Sequence, residues 1–402
     1  MSIAVSRKLA ALPASPTLAV NSRAKALRAE GRDVLSFAAG EPDFPTPPHV
    51  LDAAAAAAQA GQTRYTPSPG TPALRKAVCD YQRRVGGSAV DYEPGEVLVS
   101  CGAKHALYNL FQALLDPGDA VLIPAPYWVS YPAQVQLAEG KPVPIHATLG
   151  EGFVPTRSSL REAAGLARNT GAHPKAVIIN SPCNPTGAAY SRAALEGLVE
   201  EALTLGLVIV SDEIYGRLTY DGFEHVSIPS LGRDAKAATF LVDGVSKTFA
   251  MTGWRTGWVC GDREVIAAAG RLQSQSTSGP SSISQAAAIA AITSPEPFLA
   301  DWLAAYSARR TVMVEGLNAI DGVRCPSPQG AFYVFPDVSG LLGGPDRPAT
   351  DTELALWLLE EAGVACVPGT PFGAPGHLRL SYATDLDTIR EGLRRLTAAL
   401  SL

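Results

Sequence analysis

Three stretches share one pattern: AVIINSPCNPTG (176–187), LVIVSDEIY (207–215) and TFLVDGVSKTFAMTGWR (239–255). Each opens with a short apolar run of strand length and passes into polar residues before the next helical pattern. Two similar runs, Glu96–Ser100 and Ala120–Ile123, precede them. Apolar runs that alternate with helical patterns predict a largely parallel sheet with helices on both faces, an α/β fold. Ligands of such sheets sit outside the carboxyl ends of the strands, so the residues after each run carry the chemical information. If these strands are neighbours, Asn184, Asp212, Tyr215 and Lys247 converge on one pocket. Each has an ordinary explanation when taken alone. NPTG is a common turn, Asp212 suits a helix N-cap, a single lysine is usually solvated, and Trp254 suits a core or its rim. The joint order of NPTG, SDEIY and SK, with Arg255 eight residues after the lysine, is far less expected by chance.

Outward from this block, the alanine run Ala53–Ala58 reads as a helix, with Thr46 as its cap, Pro47 and Pro48 in its first turn and Gly61 at its end. The last third changes character. A long helical stretch from about Pro297 to Ile320 is followed by short strands near Ala331–Phe335 and His377–Ser381, with helices near Thr352–Ala362 and Asp385–Leu400. This predicts a smaller α+β domain. The turn residues of Gly40–Pro48 predict a linker through which Met1 to about Asp43 crosses over to join it.

The 402 residues carry 33 basic and 38 acidic side chains, a net charge of −5, and no basic run, so nucleic acid is not an expected partner. The uncharged stretch Leu272–Pro295 is rich in serine and glutamine and holds Gly279 and Pro280. The stretch Ala120–Ala138 is broken by three prolines. Neither predicts a membrane span. The start, MSIAVSRKLA, lacks the apolar core of a signal peptide. Six cysteines stand singly and the six histidines are scattered. This predicts no disulfide framework and no metal site, and it fits a reducing cytoplasm.

The chain resembles the fold-type I, class I pyridoxal-phosphate aminotransferases. The resemblance runs through GEPDF (40–44), RYTPSPG (64–70), GAKHAL (102–107), PYWVSYP (126–132), SPCNPTG, SDEIY, VSKTFAMTGWR, GAFYVFP (330–336) and HLRLSYA (377–383). Within that family YWVSYP and the GxK motif are most similar to the bacterial aspartate aminotransferase subgroup, which includes prephenate-accepting enzymes. The resemblance implies a three-layer cofactor-binding domain over 46–295, with a mostly parallel sheet, and a small α+β domain from 1–45 and 296–402. It also implies a cytoplasmic homodimer with shared active sites, small amino acid and 2-oxo acid substrates, and pyridoxal 5'-phosphate as cofactor.

Residue roles follow from the same resemblance. Lys247 would form the Schiff base with the cofactor aldehyde and later act as general base. Asp212 would keep the pyridine nitrogen protonated, and Tyr215 and Asn184 would hydrogen-bond the phenolic oxygen. Trp128 would stack on the ring. Gly102, Ala103, Lys104 and Arg255 would hold the phosphate, with Tyr65 reaching it from the other subunit. Arg379 would fork the substrate α-carboxylate, Gly40 would lie against the substrate, and Trp128 and Asn184 would also touch it. The region Gln273–Ser282 offers no arginine for a second carboxylate, so Lys104, with Thr17 and Ser15, takes that expected role. Pro13 stands where prephenate-accepting relatives carry a basic residue, and Thr256 stands where the family has an aliphatic one. The implied reaction is amino transfer between aspartate or glutamate and a 2-oxo acid such as 2-oxoglutarate. Other transaminase specificities (prephenate, aromatic, alanine) or a β-eliminating lyase are the alternatives on the same fold. A regulator built on this fold would need an added DNA-binding domain, and the residues before GEPDF show no helix-turn-helix pattern.

Overall fold

The computed structural model describes residues 4–10, 12, 16–344 and 347–400. Its strands, in chain order, are β1 (Leu35–Ser36), β2 (Val97–Ser100), β3 (Asp119–Ala125), β4 (Lys141–His146), β5 (His173–Asn180), β6 (Val208–Asp212), β7 (Thr239–Gly244), β8 (Gly257–Cys260), β9 (Tyr333–Val334), β10 (Val364–Ala365), β11 (Val367–Pro368) and β12 (Leu378–Ser381). Seven of them form one sheet in the order β2-β8-β7-β6-β5-β3-β4. All neighbours pair in parallel except β8, which runs against both β2 and β7. The expected parallel α/β sheet is present, and all five expected runs are strands in it.

Side chains alternate across a strand, so each apolar run feeds both faces. Val121 and Ile123 of β3 pack with Ile178, Val210 and Val242 against helices 103–114, 130–137 and 263–276. Ala120 and Leu122 turn the other way, with Val177, Ile179 and Ile209, onto helices 157–169 and 192–204. Helices 48–59, 72–86 and 282–293 cover Val97, Val99, Leu241 and Trp258. Burial on both faces is why these strands read as continuous apolar runs.

A second core gathers Phe37 with residues from helices 298–318, 351–361 and 386–400 and from β9 and β12. Its small sheet has the order β11-β12-β9, and β1 pairs in parallel with β10. β1 of the N-terminal segment is thereby hydrogen-bonded to a C-terminal strand. Ile214, Tyr215, Leu218 and Tyr220 also pack into this core, so the SDEIY motif joins the two cores.

One expectation is corrected. Thr46 does not cap helix Pro48–Gln59, whose N-cap is Pro47 with no side-chain cap. The Thr46 hydroxyl instead donates to the Ala250 carbonyl (2.9 Å) and accepts from the Trp254 indole (3.1 Å). It is committed to the lysine-bearing loop, and Pro47, whose side chain has no acceptor, stands at the N-cap in its place.

Candidate active site

The register aligns Asn180 with Asp212 and Asp212 with Val242, so β5, β6 and β7 end side by side. Gly257, the first residue of reversed β8, pairs with both Gly244 and Ser100. Arg255, two residues earlier, is thereby delivered to the same edge as Lys247 and the turn after β2. A cavity of about 540 Å³ opens there. Gly40, Ala103, Lys104, Trp128, Asn184, Asp212, Tyr215, Lys247, Arg255 and Arg379 all line it. Gly102 lies just outside this lining. Its φ is +86°, and a β-carbon there would come within 2.7 Å of the Arg255 Nη2, so only glycine allows the two to meet.

Asp212 is buried at the base of the cavity and makes no ion pair within 4 Å among the described residues. Burial pushes its pKa up to about 6, against hydrogen bonds from the Tyr131 hydroxyl (2.7 Å) and the Ile214 amide (3.3 Å). Lys247 donates to the Gly40 carbonyl at 2.6 Å. Burial pushes its pKa down to about 8. Glu41 opposes that shift, while Arg379 and Arg255 add to it.

Arg379 is 2 % exposed and has no carboxylate partner among the described residues. It donates to Asn184 Oδ1 (3.0 Å) and the Ala38 carbonyl (2.8 Å), lies over the Tyr333 and Phe372 rings, and keeps an unpaired Nε. Its Asn184 contact leaves the amide nitrogen of that side chain for the cavity. Tyr215 and Tyr333 share a hydrogen bond of 2.8 Å between hydroxyls. Burial raises both phenols, so both are neutral donors.

At the other end, helix Ala103–Leu114 begins at Gly102 with no side-chain cap. Its first N–H groups and its dipole favour an anion. Arg255 closes this end, donating to the carbonyls of Thr252 (3.0 Å) and Cys101 (3.2 Å). The Lys104 ammonium lies 4.9 Å from the Trp128 ring centroid. Its pKa is lowered, chiefly by burial and then by Arg255.

Other expected residues lie apart from the cavity. Tyr65 is fully exposed and does not line the cavity of its own chain. Thr17 falls in helix Pro16–Ala29, but its side chain, like Ser15 and Pro13, lies outside the described residues. Tyr131, Tyr333, Ser246, Thr252 and Asn180 also line the site and are not singled out by the sequence reading. Tyr131 and Tyr333 sit inside PYWVSYP and GAFYVFP, so the motifs contain them, but pattern alone does not say which aromatic faces the ligand.

The donor set suits pyridoxal phosphate. A buried carboxylate without a cation awaits a protonated ring nitrogen, a buried amine awaits an aldehyde, and an uncapped helix start with an arginine awaits a phosphate. Without a ligand the same groups are a burden. The folded-state pKa of Lys247, about 8, lies below its ordinary 10.5. Below about pH 8 the amine is charged both folded and unfolded, and folding bears the full desolvation cost. The cost fades as pH rises toward 10.5. Lys247→Met should therefore stabilise the cofactor-free protein at pH 7 by roughly 1–3 kcal/mol, seen as a higher denaturation midpoint, with the gain shrinking as pH rises. An unchanged or lower midpoint at pH 7 would show that the amine is not strained.

The sequence profile of the family "Aminotransferase class I and II" matches residues 32–396. The chain is 48% identical over 392 residues to the aspartate aminotransferase of Geobacillus stearothermophilus, covering 98% of both chains. It is 45% identical to the aspartate/prephenate aminotransferase of Thermus thermophilus, again over 98% of each. Among solved structures, the aspartate aminotransferase of Rhizobium meliloti superposes with a TM-score of 0.94 at 42% identity, over 100% of this chain and 99% of that one. The Thermus thermophilus aspartate aminotransferase with maleate superposes at 0.91 and 44% identity, over 99% of this chain and 100% of that one. A fold, a site chemistry and full-length likeness thus agree that the chain belongs to the class I and II aminotransferase family and is a transaminase.

Proposed function

We propose that the chain moves the amino group between aspartate and a 2-oxo acid such as 2-oxoglutarate, using pyridoxal phosphate, as a cytoplasmic homodimer. The observation that carries this is the pairing of two buried, uncompensated charges, Asp212 and Arg379, in one cavity with Lys247. The relatives named aspartate aminotransferase, and the Thermus enzyme crystallised with the dicarboxylate maleate, support the substrate.

Bound pyridoxal phosphate supplies an electron sink for the bonds at the substrate Cα. Asp212, steadied by Tyr131, would hold the proton on the ring nitrogen. Tyr215, held by Tyr333, and the free amide nitrogen of Asn184 would donate to the ring oxygen. Trp128 would cover the ring face. Arg255 and the N–H groups of Ala103 and Lys104, on the turn shaped by Gly102, would hold the phosphate. Arg379 would take the substrate α-carboxylate through a two-pronged contact, beside the Gly40 backbone. Lys247 would carry a proton between the substrate Cα and the cofactor carbon that bears the aldehyde. A pKa near the working pH suits a group that must both take and give that proton.

Residues 46–295 would form the cofactor-binding domain, with 1–45 and 296–402 as the small domain. A fully exposed tyrosine is unusual, and Tyr65 in that setting suits a role at a partner subunit's phosphate. The lack of any helix long and apolar enough to cross a membrane among the described residues is compatible with a cytoplasmic location. Prephenate is the second acceptor to assay, because a 45% identical relative carries that name.

Lys104 tests the substrate assignment. Its ammonium lies beside Trp128 at the cavity wall, where the distal carboxylate of a dicarboxylic substrate can reach it, and Ser15 and Thr17 are the next candidates for that contact. Losing a charge-assisted contact costs about 1.5–3 kcal/mol. Lys104→Ala should therefore lower kcat/KM for aspartate and glutamate roughly ten- to a hundredfold and leave alanine and phenylalanine nearly unchanged. A uniform loss across all four would assign the lysine to the cofactor instead.

A further inference from the structure

We propose that Gln273, which does not touch the cavity, is the positioning residue that sets its phosphate-holding end. This rests on the reading of the cavity as a pyridoxal-phosphate site. Gln273 lies on helix Arg263–Ser276 and is completely buried. A side-chain amide has two N–H donors and an oxygen with two lone pairs, and here all four are used. Nε2 donates to the carbonyls of Ser68 (2.6 Å) and Val99 (2.9 Å). Oε1 accepts from the Ser100 hydroxyl (2.5 Å) and the Asn109 amide (2.8 Å).

The partners lie on three separate elements. Val99 and Ser100 end β2, which runs straight into the Cys101–Lys104 turn. The next link is already tied, because the Gly102 amide donates to the Ser100 carbonyl at 2.7 Å and Arg255 holds the Cys101 carbonyl. Asn109 lies on helix Ala103–Leu114, whose N-terminus is the anion-binding end. Ser68 belongs to the segment that follows Tyr65. The same segment is held from its other side by Gln285, itself buried, which donates to the Thr66 hydroxyl (2.9 Å) and accepts from the Thr71 amide (2.8 Å). One side chain thus fixes the strand entering the phosphate turn, the helix leaving it and the base on which exposed Tyr65 stands. A buried polar hub earns its place by specifying one arrangement, since a hydrophobic side chain would fill the space without anchoring these groups.

The effect should be confined to phosphate. The test compares cofactor-free wild-type protein with Gln273→Met, which keeps length and volume and removes all four bonds. The dissociation constants of pyridoxal phosphate and of pyridoxal, which lacks the phosphate, are measured by absorbance titration. Hydrogen bonds that orient the ligating groups of a metal site commonly matter by 10- to 100-fold; on that scale the pyridoxal phosphate constant should rise about 10- to 100-fold, while that of pyridoxal changes by less than about twofold. Ser100→Ala, a milder change, should give a smaller loss with the same selectivity, and it decides the matter if Gln273→Met does not fold. Equal weakening of both ligands, or no weakening of either, would overturn the proposal. Wild-type protein that binds neither ligand would overturn the reading of the site itself.

Discussion

Lys247→Ala is expected to lower kcat by roughly 10⁴-fold or more, because it removes the proposed covalent anchor and proton carrier of the cavity. The cofactor should still bind, more weakly, since Asp212, Arg255 and the N–H groups after Gly102 are untouched by the change. Steady-state assay of 2-oxo acid formation, alongside a cofactor titration, separates the two effects. The neighbours of Lys247 make substitution by another base implausible. Arg379 and Arg255 bear guanidinium groups, which are poor proton acceptors, and Lys104 lies against Trp128 near the start of helix Ala103–Leu114. A variant that retained more than about a tenth of wild-type kcat would show that another group moves the proton.

Asp212→Asn should reduce kcat roughly a hundredfold or more while changing cofactor affinity much less. The two side chains have the same size. The single oxygen of asparagine can still accept from the Ile214 amide, and its NH2 can donate to the Tyr131 hydroxyl in place of the bond that hydroxyl now gives, so the fold and the local turn survive. It cannot hold a proton on a ring nitrogen, because it carries no charge. If Asp212 served only to cap the turn after β6, asparagine would do as well. Near-normal kcat in the variant would then return the residue to that structural role. The carboxylate stands almost fully buried, and burial, outweighing the hydrogen bonds from Tyr131 and Ile214, lifts its pKa to about 6. A cation facing it, such as the pyridinium proposed to bind there, would reverse that shift.

Much of this was legible in the sequence because chemistry and topology coincide. In a parallel sheet the strand ends share one edge, so three motifs separated by about thirty residues each could be placed in one pocket before any coordinates. Two strands of the seven-stranded sheet escape such reading, as do the two-residue strands β1, β10 and β11. β4 is Lys141-Pro-Val-Pro-Ile-His146, and its two prolines argue against a strand until one sees that it lies at the sheet edge, where missing donors do no harm. β8 is only four residues long and follows Arg255, which sits in a left-handed conformation, so no local pattern announces its reversal. That reversal matters, since it is what delivers Arg255 to the cavity beside the Cys101–Gly102 turn. Tyr131, Tyr333 and Gln273 were missed for a related reason. Their roles depend on which neighbour the fold brings to each hydroxyl or amide, and a single chain does not state its own non-local contacts. Thr46 shows the same limit from the other direction, since a residue of good capping chemistry was taken by a distant carbonyl.

The site is proposed to remove the amino group of aspartate and to hold it until a 2-oxo acid arrives. The most direct test loads the enzyme with pyridoxal phosphate, adds L-aspartate with no 2-oxo acid present, and measures oxaloacetate by mass spectrometry. The account predicts one equivalent of oxaloacetate per loaded subunit, loss of the yellow absorbance in step with it, and recovery of the colour when 2-oxoglutarate is added, with glutamate released. A yellow enzyme that meets aspartate and yields no oxaloacetate would contradict it.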